Sequence, residues 1–125
     1  MSEEREWYEQ LLELQLRANP AILEQLRELG VTDETQMRLG FIYLAPGEQE
    51  AQRLEAFLGE QTDYETQTRR RRRGLFEHSE WLVVGATQPT AITRETIDAW
   101  VEWMVAAGAA EGPCAFDGWT AEIVP

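Results

Sequence analysis

The chain is 125 residues long and 43% hydrophobic, and its 23 acidic residues against 11 basic ones give a formal net charge of −12. That length points to one domain, and the hydrophobic share, with five tryptophans, excludes a disordered chain in spite of the charge. All the basic residues are arginine, which excludes a phosphate-loop lysine, Schiff-base chemistry and a lysine general base, and the acidic balance weighs against nucleic acid as a direct ligand.

The opening "MSEEREWYEQ" is acidic where a signal peptide is basic and then apolar, and no stretch reaches the roughly 18 apolar residues of a membrane span. A single cysteine, Cys114, cannot form an internal disulfide. Together these features point to a reducing cytoplasm and no membrane. Residues 3 to 18 then place Trp7, Leu11, Leu14 and Ala18 at helical spacing, with Tyr8 and Leu12 beside them and Ser2 as N-cap. Asn19 and Pro20 interrupt that pattern, as N-cap and first helical residue of a second segment with Ile22, Leu23, Leu26 and Leu29 as its stripe and Gly30 as its stop. Two short helices, or one kinked helix, are expected.

"MRLGFIYL", residues 37 to 44, is a short apolar run with aromatic and branched residues, expected as a strand buried on both faces. A helix from 46 to 58 follows, with Ala51, Leu54, Phe57 and Leu58 inward and Gly59 ending it. "DYETQT" then alternates as a half-buried strand and runs directly into five arginines, Arg69, Arg70, Arg71, Arg72 and Arg73. "WLVVGAT", residues 81 to 87, reads as a central strand. Ile97, Trp100, Val101, Met104 and Val105 make the clearest amphipathic helix, capped by Thr93 and ending near Gly108. "CAFDGWTAEIV" is the last strand.

The order is two helical segments and then βαββαβ. It predicts an α+β fold, a ferredoxin-like sandwich over residues 31 to 125 with an N-terminal helical extension over residues 1 to 30, together one compact unit. Two helices cover one side of such a sheet, yet the first and third strands look apolar on both. The second side therefore needs the N-terminal helices or another chain over it, which leaves a homodimer open.

The element order, the acidic helical start, "MRLGFIYLAPGEQEAQRLEAFL", the "YET" strand and above all "AFDGWTAEIV" resemble the regulator of ribonuclease activity B family. Phe116, Asp117, Gly118 and Trp119 match that family's aromatic-Asp-Gly-Trp signature. The resemblance implies an acidic, non-enzymatic cytoplasmic protein that binds and restrains an endoribonuclease of the ribonuclease E type, without a cofactor. The sequence departs from the family in its arginine-rich second strand, where the family is acidic, and in the long acidic C-terminal tail that it does not show.

The residues themselves offer little catalytic chemistry. His78 is the one histidine and Ser79 its neighbour; adjacent residues on a strand point to opposite faces, which makes a poor dyad. Cys114 has no histidine or asparagine partner near it in sequence, and one cysteine with one histidine cannot hold structural zinc. No glycine-rich phosphate loop is present. Asp117 and Gly118 favour a turn or bulge, which would turn Trp119, Ala121 and Ile123 to the core as a structural signature. The partner-contact candidates are the run Arg69 to Arg73, which alternation divides between two faces, and Trp103, which lies off the stripe of its helix. For the run the first reading is a charged edge that discourages strand pairing, and contact with an acidic partner surface, ahead of RNA, is the second.

Overall fold

A computed structural model of the chain describes residues 2–72 and 79–123. Those residues form three helices and a five-stranded antiparallel sheet, an α+β fold. Helix α1 is Ser2–Glu28, followed by β1 (Gln36–Ala45), α2 (Glu48–Gln61), β2 (Glu65–Arg72), β3 (Ser79–Ala86), β4 (Thr90–Ala91), α3 (Arg94–Glu111) and β5 (Ala115–Ile123). Strand β1 is central: Phe41 stands opposite Gly85 of β3 on one side and Trp119 of β5 on the other. Strand β2 pairs with the far side of β3, so it and β5 are the outer strands. The two-residue β4 had no signal in the sequence, and it extends the β3 side along Gln36 and Met37.

Period-two alternation divides β1 cleanly. Met37, Leu39, Phe41 and Tyr43 are buried, while Arg38, Gly40, Ile42 and Leu44 are only half-buried. The register places Gly85, Val83 and Trp81 of β3 on the side of Phe41 and Tyr43, and Ala86, Val84 and Leu82 on the side of Ile42 and Leu44. All three helices pack on the Tyr43 side. Ala51, Leu54 and Leu58 of α2, and Ile97, Val101, Met104 and Val105 of α3, join that side of the sheet in a single core. The expectation that β1 and β3 are buried on both faces is thus corrected: one face is core, and on the other, where Leu82 is buried but Ile42, Leu44, Val84 and Ala86 are only half-buried, no helix packs among the described residues.

The first helix decides this. It is one continuous helix through Pro20 and not two, and its buried stripe is rotated from the expected one. Leu14 is 62% exposed and Trp7 40%, whereas Tyr8, Leu11, Leu12, Leu16, Leu23 and Leu26 face the core. Asn19 lies on that stripe, fully buried, and is not an N-cap. Its amide nitrogen donates to Asp98 Oδ1 of α3 at 2.8 Å, and its carbonyl oxygen accepts from the Trp119 indole of β5 at 2.9 Å. Asp98 in turn accepts from Arg94 at 2.8 Å. Proline removes the backbone bond to the fourth residue back, but packing along both halves of α1 against α3 and β5 keeps the helix together. Gly30 ends it as expected. With φ +99, it lets its own N–H reach the Arg27 carbonyl at 3.0 Å and that of Val31 reach Leu26 at 3.0 Å, a Schellman closure.

Strand β5 carries one bulge. Phe41 pairs with Trp119 and Tyr43 with Phe116, so Asp117 and Gly118 together oppose Ile42. Gly118 takes φ +126 there. The extra residue resets the alternation, so Phe116 and Trp119, three apart, both face the core. Each meets Trp100 edge-on, at 5.9 and 6.4 Å between ring centroids. Helix α3 begins as expected, with the Thr93 hydroxyl accepting from the Thr96 N–H at 3.1 Å. Helix α2 runs past Gly59 to Gln61, where the Thr62 hydroxyl donates to the Leu58 carbonyl at 2.6 Å.

Replacing Asn19 with alanine leaves the Trp119 indole N–H and the Asp98 carboxylate without their buried partner. The expected cost is about 2 to 3 kcal/mol of unfolding free energy, read by urea denaturation. A loss below about 0.5 kcal/mol would show that the amide holds nothing.

Candidate interaction site

The arginine run forms the far half of β2, and its register with β3 fixes where each side chain goes. Arg69 and Arg71 stand opposite Leu82 and Glu80, on the open side of the sheet; Arg70 and Arg72 stand opposite Trp81 and Ser79, on the helix side. All four are exposed. The run is therefore two pairs on opposite faces. Arg71 Nε donates to Glu80 at 3.0 Å, Arg69 Nε donates to Gln67 at 3.0 Å, and the Arg70 guanidinium sits 5.9 Å from the centre of the Trp81 ring. At such exposure these contacts add little stability. Arg73 and His78 lie outside the described residues.

On the open side, the apolar residues of β1 and β3 form the floor of a groove of about 750 Å³, with Gly40, Ile42, Val84 and Ala86 at its centre. Glu65, which pairs with Arg38, and Gln67 and Arg69 of β2 border one flank, and Asp117 with Thr120 of β5 the other. At one end, Arg38 of β1 reaches across to Glu65 at 3.1 Å and also donates to the Thr87 carbonyl at 3.2 Å. Of the signature residues, Phe116 and Trp119 are core, while Asp117 is exposed on this groove. The bulge, which re-aims Asp117, could be read from the Asp-Gly pair, but the groove it borders could not.

The helical side is strongly acidic. Fifteen carboxylates and five arginines lie on α1, α2 and α3, a net of −10; the remainder of the chain carries only −2 of the total −12. Within that acidic layer Trp103 is 40% exposed and stacks on Phe57 of α2, with ring centroids 6.2 Å apart and planes 22° from parallel. Sequence spacing marked Trp103 as off its stripe, but not that Phe57 would lie under it. The structure does not bring Trp103 together with Arg69 and Arg71, because the sheet lies between them. A second apolar groove, of about 990 Å³, runs between Trp7 on α1, Ala109 and Ala110 at the end of α3, and Leu44 and Pro46.

Titratable groups inside the core are held neutral. Burial raises the Tyr43 hydroxyl far above its ordinary value, with Cys114 and Tyr64 adding to the effect; that hydroxyl donates to the Met104 carbonyl at 2.7 Å. Burial likewise raises Tyr64, against the hydrogen bond its oxygen accepts from the Trp100 indole at 3.1 Å. The buried Cys114 thiol is pushed up to about 11, by burial first and the Glu50 carboxylate second, with Arg53 opposing. Among the described residues no group of three His, Cys, Asp or Glu is placed to hold a metal ion, and no helix is long and apolar enough to cross a membrane. Compared with known proteins, the chain matches no family model and no curated protein.

These values set an alkaline limit. Below about pH 9 the thiol is protonated in both folded and unfolded chains, so stability is unaffected by it. Between about 9 and 11 only the unfolded chain loses the proton, and stability falls as pH rises, with Tyr43 and Tyr64 contributing above their ordinary 10.0. Urea midpoints measured at about pH 8, 9.5 and 10.5 should decline in that order. Alkylation of native Cys114 at pH 8 should be at least about 100-fold slower than in the unfolded chain, since thiolate is the reactive form.

Proposed function

We propose that this protein acts by binding and not by catalysis: it docks on an endoribonuclease of the ribonuclease E type and restrains RNA cleavage, as the sequence resemblance implies. The observation that carries this reading is the segregation of charge, with −10 on the helical layer alone. An enzyme that cleaves RNA must present a basic surface to phosphates. An acidic layer of this kind competes for such a surface, and the same charge repels RNA itself. Trp103, stacked on Phe57, supplies the large half-exposed aromatic that anchors many protein interfaces. The order β2-β3-β1-β5, with a helix between β1 and β2 and another between β3 and β5, supports a ferredoxin-like frame. An enzyme of RNA turnover as partner also favours a cytoplasmic location.

The test is RNA cleavage by a purified ribonuclease E-type enzyme, with and without this protein. The chain should slow cleavage, and Trp103→Ala should weaken that inhibition by about tenfold or more. Raising salt from ~50 to ~200 mM should weaken it further, because the contact is electrostatic. Unchanged cleavage, together with a native pull-down that recovers no ribonuclease or RNA-decay protein, would sink the proposal.

A further inference from the structure

The open side of the sheet is close to neutral in a molecule that is not. It carries Arg38, Arg69 and Arg71 against Glu65, Glu80, Asp117 and Glu122, a net of −1. Four of these form two pairs within the chain, Arg38 with Glu65 and Arg71 with Glu80. Across the groove, Arg69 flanks one edge and Asp117 the other, with Ile42 and Val84 between them. With Glu65 paired to Arg38 and Glu80 to Arg71, Arg69 on the β2 flank and Asp117 on the β5 flank, either side of an apolar centre, form a surface that is complementary to itself under a two-fold rotation.

We propose that this face is the interface between two copies of the chain, packed sheet on sheet with the two-fold axis parallel to the strands. That rotation lays β2 of one copy over β5 of the other. Aligned sheets stand about 10 Å apart and cross at about 30°; Arg69, level with Leu44, then lies two residues along the strands from the partner's Asp117, level with Ile42, a gap its long side chain spans. An axis perpendicular to the strands would instead set β2 on β2, arginine against arginine. Ile42 and Val84 of both copies meet at the centre. Four strands about 4.8 Å apart and about eight residues long span on the order of 500 Å², which side-chain relief brings toward the roughly 800 Å² per partner of a standard interface. Both acidic helical layers then point outward, so the charge of each copy is held away from the other. The inference does not rest on the ribonuclease reading.

Sedimentation equilibrium of the purified chain alone tests it, with circular dichroism confirming that each variant is folded. The wild type should show a monomer–dimer equilibrium. Arg69→Asp and Asp117→Arg, both at exposed positions, should each weaken association by about tenfold or more, and the combined swap should recover to within about threefold of wild type. Ile42→Arg should abolish the dimer. A strictly monomeric wild type at ~200 µM overturns the proposal, as does a dimer that ignores both charge reversals or is not rescued by the swap. A monomeric wild type that loses a different protein when Ile42 is replaced by arginine would assign the face to that protein, and also overturn it. None of these readouts involves a ribonuclease, so its failure is separate from failure of the proposed function.

Discussion

The buried amide of Asn19 holds the molecule's layers in place. A fully buried amide is costly unless both its ends are satisfied, and here one end is met by α3 through Asp98 and the other by β5 through Trp119. Sliding α1 by a turn would break both bonds at once, so the helix has one low-energy position. That position is on the side already covered by α2 and α3. The long first helix thickens the helical layer, and among the described residues no helix covers the other side of the sheet.

Charge follows the same division. Exposed faces of α1, α2 and α3 carry most of the carboxylates, whereas the sheet contributes arginines that are partly matched by Glu65, Glu80 and Gln67. The two sides thus suit different partners. The acidic side is attractive to a basic surface over a distance set by salt, while the near-neutral apolar side offers contact energy without long-range repulsion. A five-arginine run is a local exception in a protein of net −12. Strand alternation makes it a border for each of two faces.

The aromatic-Asp-Gly-Trp stretch shows how local chemistry and packing meet. Two rings three residues apart cannot share a face of a regular strand. Gly118, at φ +126, admits the bulge that lets Phe116 and Trp119 both enter the core beside Trp100, and turns Asp117 to the groove. Helix α3 comes close to β1 at Gly108, where a Cβ would lie 2.6 Å from the Tyr43 ring. These close approaches let a small chain gather six aromatic rings, four of them buried, around one helix–sheet contact.

Local signals in the sequence were enough for the order of the helices and of every strand but β4, the Thr93 cap, the Gly30 stop and the Asp-Gly irregularity, because each depends on spacing or on one residue's backbone freedom. Asn19 and Pro20 misled for the same reason: locally they are a cap and a helix start, and only Asp98 and Trp119, 79 and 100 residues away, give that amide a better use. Periodicity marks which residues of β1 and β3 are apolar. It carries no information on which side of the sheet a distant helix will take. That choice, and with it the open groove and which face each pair of arginines borders, was decided by tertiary packing, where a buried polar group had to find both of its partners.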